Sequence, residues 1–99
     1  MSRTVHDIKY IVENNDKRES FFFSKNTMKF WGQKMSDFKV ITSKSDRVFI
    51  YAPNRLDGKF MSFTCWEFIE SEKTLTPCNI PDKQAMTAKE LVKYIKNNF

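Results

Sequence analysis

Glycine is scarce in this chain, with two in 99 residues beside ten Phe. A glycine-rich loop that cradles phosphate has no material to be built from. Histidine is scarcer still. His6 is the only one, without a cysteine or second histidine at ligand spacing, and a zinc site needs three or four N, S or O ligands. No metal and no cofactor are expected. The two cysteines, Cys65 and Cys78, have twelve residues between them and form no C-x-x-C. With no sign of secretion, free thiols are the expectation, Cys65 as a small buried hydrophobe in a strand and Cys78 in a more exposed loop. No apolar run approaches the ~20 residues that cross a bilayer, and the first residues lack the charged-then-apolar order of a signal peptide. The expectation is a soluble protein that stays where it is made, without a membrane partner.

A catalytic constellation is also missing. His6 has no Ser or Cys paired with it by motif. Asp57, Glu67, Glu70 and Glu72 are the available carboxylates, and their place beside turns reads as solvated surface rather than as general acid and base. An enzyme is therefore not expected.

What is present is a core. Hydrophobic residues make up 40% of the chain and aromatics 15%, which argues for a packed interior in one domain spanning residues 1–99. Net charge is +5, with nine Lys/Arg against six Asp/Glu in residues 1–46 and eight against six in 47–99. The excess is spread evenly, without a basic tail, and favours an acidic or polyanionic partner. Lys far outnumbers Arg, which supplies the bidentate fork of specific nucleic-acid contacts.

Capping and periodicity give the elements. Thr4 with Asp7 caps a helix over about 4–14 whose Val5, Ile8, Ile11 and Val12 share one face, and Asn14-Asn15-Asp16 is its stop. Phe21-Phe22-Phe23 reads as a short strand. Ser24 caps a second helix, expected from Lys25 to about Asp37, docked through Met28, Trp31, Met35 and Phe38. Gly32 inside that helix costs about 1 kcal/mol relative to Ala, so it should admit a close neighbour. Alternation then marks strands at Val40–Thr42, Arg47–Ala52 and Lys59–Ile69, with turns at Ser43–Asp46 and Pro53–Gly58 and a short edge strand near Leu75. Thr87 with Glu90 opens a last helix striped by Ala88, Leu91, Val92, Ile95 and Phe99. The fold class expected is α+β, an antiparallel meander of three to five strands packed with three helices.

In Lys59–Ile69 one face should carry Phe60, Ser62, Thr64, Trp66 and Phe68, and the other Met61, Phe63, Cys65 and Ile69. Large apolar groups on both faces mean a central strand covered on both sides, or one face left as a binding patch. The candidate binding surface combines Lys25, Lys29 and Lys34, beside Phe30 and Trp31, with Phe60, Trp66 and Phe68. Aromatic platforms edged by lysine bind single-stranded nucleic acid by stacking and phosphate neutralisation.

From Phe22 to Phe30 the chain resembles a family of small proteins encoded by bacteriophages and related mobile elements. Their pattern is a short N-terminal helix, then Phe-Phe-Ser, any residue, Asp/Asn-Thr-Met-Arg/Lys-Phe-Phe, then strands with a Val/Ile-Thr-Ser element. Here these are residues 4–14, Phe22 to Phe30, and Ile41-Thr42-Ser43, with Trp31 in place of the second aromatic. The likeness covers roughly residues 4–52 and brings no catalytic residues. It implies a phage setting in the cytoplasm of a bacterial host. The function expected is non-enzymatic binding that inhibits or redirects a host protein, in the defence or transcription machinery. The alternative is a nucleic-acid-binding accessory protein.

Overall fold

Strand β2 (Val48–Leu56) determines the layering, because Phe49, Ile50, Tyr51 and Ala52 are buried in succession. Neighbouring strand residues point to opposite faces, so four buried in a row require cover on both sides. The computed structural model describes residues 4–14, 24–80 and 87–99. The expected Phe21–Phe23 strand and the segment 81–86 lie outside the described residues.

The architecture is α+β, as the sequence predicts. Helix α1 (Val5–Glu13) and helix α2 (Lys25–Phe30) precede strand β1 (Lys39–Thr42), then β2, β3 (Lys59–Ile69) and β4 (Thr74–Pro77), and helix α3 (Ala88–Asn98) ends the chain. The sheet is an antiparallel meander in the order β1-β2-β3-β4. One face packs Ile50, Ala52, Phe68 and Leu75 against Ile8, Val12 and Phe38, with Met28, Met35 and Trp66 at its margin. The other packs Ile41, Phe49, Tyr51 and Cys65 against Leu91 and Ile95.

The helix starts follow their caps. Asp7 N–H donates to Thr4 Oγ1 and Thr4 N–H to the Asp7 carboxylate, each at 3.1 Å. Thr27 N–H donates to Ser24 Oγ at 3.2 Å, and Glu90 N–H to Thr87 Oγ1 at 3.2 Å. Asn14 does end α1, but at φ −95° rather than in the left-handed region, and its side-chain amide donates to the Tyr10 carbonyl at 2.8 Å.

Three expectations are corrected. The second helix stops at Phe30 instead of running to Asp37, because Gly32 takes φ +63° and closes a Schellman cap. Gly32 N–H donates to the Lys29 carbonyl at 3.1 Å and Gln33 N–H to the Met28 carbonyl at 2.7 Å. Trp31 therefore leaves the core stripe and is 43% exposed, while Met35 continues inward from a single 3-10 turn, Met35–Asp37.

Next, Pro53 to Leu56 belong to β2, and the connection to β3 is only Asp57-Gly58, at φ 52° and 79°. Both values suit a two-residue type I′ turn. Pro53 is tolerated there because β1 pairs with β2 only as far as Tyr51, so its missing N–H faces a side that no strand occupies among the described residues. Finally, the register of β3 slips between Ser62, opposite Asn54, and Phe60, opposite Arg55. Met61 is the extra residue of a β-bulge, so Phe60 turns to the face of Phe63 and away from Trp66 and Phe68.

These corrections separate two aromatic residues energetically. Phe49→Ala should cost about 3–5 kcal/mol in chemical denaturation, as for a fully buried ring, whereas Trp31→Ala should cost about 1 kcal/mol or less.

Candidate functional site

The paired part of the sheet is narrower at one end. β1 pairs with β2 only from Val48 to Tyr51, and β4 pairs with β3 only from Trp66 to Ile69. Among the described residues, the distal halves of β2 and β3 therefore run on as a two-stranded ribbon to the Asp57-Gly58 turn. The outer edge of β2 is partly occupied there, since Arg55 N–H donates to the Trp31 carbonyl at 2.8 Å.

That bond brings the end of α2 to the ribbon, and side chains hold it in place. Arg55 Nη1 donates to the Gly32 carbonyl at 3.0 Å and to Asp37 Oδ2 at 2.9 Å. Asp37 Oδ2 also accepts the Lys34 N–H at 2.8 Å. A Cβ at Gly32 would lie 3.0 Å from both the Cβ and the carbonyl oxygen of Arg55, so the close approach expected of Gly32 occurs, outside a helix. On the α1/α2 face, buried Asn54 accepts at Oδ1 from Gln33 Nε2 and Thr64 Oγ1, each at 2.7 Å, and donates from Nδ2 to Ser62 Oγ at 3.3 Å. Segment 31–37 is thus fastened to the ribbon through backbone, ion pair and amide.

The result is an apolar end. Six large apolar side chains are exposed among the described residues, and five of them are Phe30 at the end of α2, Trp31 in the fastened segment, and Leu56, Phe60 and Met61 on the ribbon. Phe30 is 74% exposed and meets Trp31 edge to face, with ring centroids 5.0 Å apart. Phe60 leans on Phe63 at 4.9 Å, which in turn meets Tyr51 at 5.8 Å. Clustered exposure of this kind marks interaction surfaces, unlike single apolar residues scattered over a surface.

Exposed lysines belong to the same stretches of chain: Lys29 and Lys34 lie on either side of Phe30 and Trp31, Lys59 follows the turn, and Lys25 is one turn back on α2. The acids nearby are Asp57 in the turn and Asp37, which is taken up by Arg55. These stretches are net basic.

The expected binding residues separate accordingly. Lys25, Lys29 and Lys34 are exposed beside Phe30 and Trp31, and Phe60 is half exposed. Phe68, at 4% exposure, lies in the core under α1, and Trp66 is half buried at the margin of the same core. The sheet face that was to offer Phe60, Trp66 and Phe68 together does not exist. Leu56 and Met61 were missed; the available signal was Leu56 directly before the Asp-Gly turn and Phe60-Met61 shortly after it.

Elsewhere the chemistry is sparse. No group of three or more His, Cys, Asp or Glu among the described residues is placed to hold a metal ion. Among them, no helix is long and apolar enough to cross a membrane. Arg47 makes a two-point ion pair with Glu67, both contacts at 2.7 Å, and its guanidinium lies 4.9 Å from the centre of the Phe99 ring. Ser43 and Ser45 donate their hydroxyls to the Phe99 main-chain oxygen. These contacts tie the end of α3 to the β1–β2 turn, away from the ribbon tip.

No protein-family model, curated protein or solved structure matches this chain.

The Arg55 guanidinium holds the Asp37 carboxyl below its ordinary value of 3.8. A carboxyl depressed by folding contributes its stability in full above the unfolded value and loses it as pH falls through the folded value. Asp37→Asn keeps an acceptor for Lys34 N–H but removes the charge. It should cost about 0.5–1 kcal/mol at neutral pH, as for a partly exposed ion pair, and the difference from wild type should shrink progressively once pH falls below the ordinary value of 3.8. Urea unfolding followed across that range measures both.

Proposed function

We propose that this chain is a non-enzymatic binding protein of the bacteriophage or mobile-element type. In this reading it inserts the apolar end of the β2–β3 ribbon into an acid-rimmed surface on a host protein, and so inhibits or redirects that protein. The observation that carries the reading is the exposure of Leu56, Phe60 and Met61 at the end of the ribbon, with Phe30 and Trp31 exposed where the chain is bonded to the β2 edge and exposed lysines in the same stretches of chain. Aromatic residues and Met are the types enriched at the centres of protein interfaces, with charge kept to the rim. A protruding ribbon suits a concave partner, and net basic charge suits an acidic one. Host defence and transcription proteins are the target classes that fit the phage setting implied by the Phe22–Phe30 motif.

The rival reading is single-stranded nucleic acid, favoured by the exposed Phe30–Trp31 pair beside Lys25, Lys29 and Lys34. It has lost part of its support, because Phe68 is in the core and Phe60 faces away from Trp66. Stacking platforms present several rings to one strand, and one exposed ring pair offers less.

The two readings differ in what co-purifies and in salt dependence. Tagged protein is used to capture partners from host lysate, with and without nuclease, beside the variants Leu56→Asp and Met61→Asp. Both side chains are largely exposed, so each variant should keep its stability within about 0.5 kcal/mol. A host protein retained after nuclease by the wild type, and bound more than about tenfold more weakly by both variants, supports the interface. Recovery abolished by nuclease would sink it. If Lys25, Lys29 and Lys34 neutralised three phosphates of a single strand, log affinity would fall with log salt at a slope of about −2.

A further inference from the structure

Cys65 and Cys78, the only cysteines, meet across the sheet. β3 and β4 pair through Trp66 and Pro77, and the next step of the same register sets Cys65 opposite Cys78. The Cys78 N–H donates to the Cys65 carbonyl at 2.9 Å, and the two side chains belong to the same packed cluster on the α3 face. Directly opposed residues of an antiparallel pair have Cα atoms about 4.5–5.5 Å apart, inside the range a disulfide spans. The thiols are free in this structure, Cys65 buried on the α3 face and Cys78 half buried.

We propose that Cys65 and Cys78 are a reversible dithiol–disulfide couple, closed by exchange with a small disulfide such as oxidised glutathione. The thiolate of Cys78, the more accessible sulfur, attacks one sulfur of glutathione disulfide and releases one glutathione thiolate. The thiolate of Cys65 then attacks the Cys78 sulfur of that mixed disulfide and expels the second glutathione. Two electrons pass from the protein to the glutathione disulfide, and the two protein thiol protons end on two glutathione thiols. The bond sits at the base of the ribbon, since β3 beyond Cys65 pairs only with β2 among the described residues. It would clamp the β3–β4 hairpin, closing a loop whose entropy is then removed from the unfolded chain.

The surroundings set the rate. Burial raises the pKa of both thiols, Glu67 adds to the rise at each, and Arg47 opposes it at Cys78. The thiolate is the nucleophile, so closure should keep accelerating with pH beyond the range in which an ordinary exposed thiol has ionised.

The test equilibrates the native reduced chain with buffers of increasing oxidised-to-reduced glutathione ratio. Acid quenching, alkylation of remaining thiols and intact-mass measurement follow. The expected product is a monomer lighter by two hydrogens, carrying neither glutathione nor alkyl label, restored by dithiothreitol and melting at a higher temperature than the reduced chain. Cys78→Ser should remain at the alkylated single thiol, and Cys65→Ser should stop at the glutathione adduct on Cys78. Two alkylatable thiols persisting in oxidised glutathione while circular dichroism shows the native fold would overturn the proposal. So would a wild-type chain that accumulates the Cys78 adduct, or one that closes the bond only in denaturant.

Discussion

Four consecutive buried residues, Phe49 to Ala52, are the constraint on which the rest of the molecule depends. A strand with one wet face alternates, but this one cannot, so the chain must supply apolar cover on both sides. α1 and α2 supply it on one side and α3 on the other. That leaves none of the described helices to cover the distal ribbon, where β2 and β3 outrun both of their neighbours. The ribbon's exposure is thus a consequence of where the two layers are centred. The apolar side chains at its tip are not, since the turn would form equally well between polar flanks.

The join between α2 and the ribbon shows how a few groups shape that end. Gly32 is the one described residue whose backbone both reverses after a helix and lies against Arg55, and a side chain would oppose both. The positive φ exposes Trp31, and the same turn delivers the Trp31 carbonyl to the Arg55 N–H, a donor on the side of β2 that β1 no longer reaches. The ion pair with Asp37 then limits how far the segment can move from the sheet. Removing buried Asn54 would take the partner from Gln33 and Thr64, both partly buried, which makes this joint costly to open.

The sequence carried much of the fold and less of the site, for identifiable reasons. Caps at Thr4, Ser24 and Thr87 were legible because each is a local bargain between one side chain and the N–H three residues on. Strands and the alternating stretches between turns were legible because the sheet is a simple meander. The second helix was overrun because Met28, Met35 and Phe38 do reach the same core, although the last two do so from a 3-10 turn and a strand approach. Periodicity cannot tell these apart, whereas Gly32 followed by a polar residue was a stop signal outweighed by the stripe. The bulge at Met61 had no local signature at all. One inserted residue inverts the facing of every residue beyond it, and that inversion separated Phe60 from Trp66 and Phe68.

The same bulge bears on what the ribbon is suited to do. A flat two-stranded ribbon with open edges and an apolar tip invites pairing with another strand, and proteins usually blunt such edges. Here Pro53 removes a donor from one edge, the Trp31 carbonyl occupies a second donor on it, and the bulge breaks the ladder on the other strand. Lys59 places charge beside the turn. Edge-to-edge pairing is discouraged along the ribbon's length, yet Leu56, Phe60 and Met61 stay exposed at its end. Among the described residues, what this end leaves exposed is therefore side-chain surface rather than a free backbone ladder.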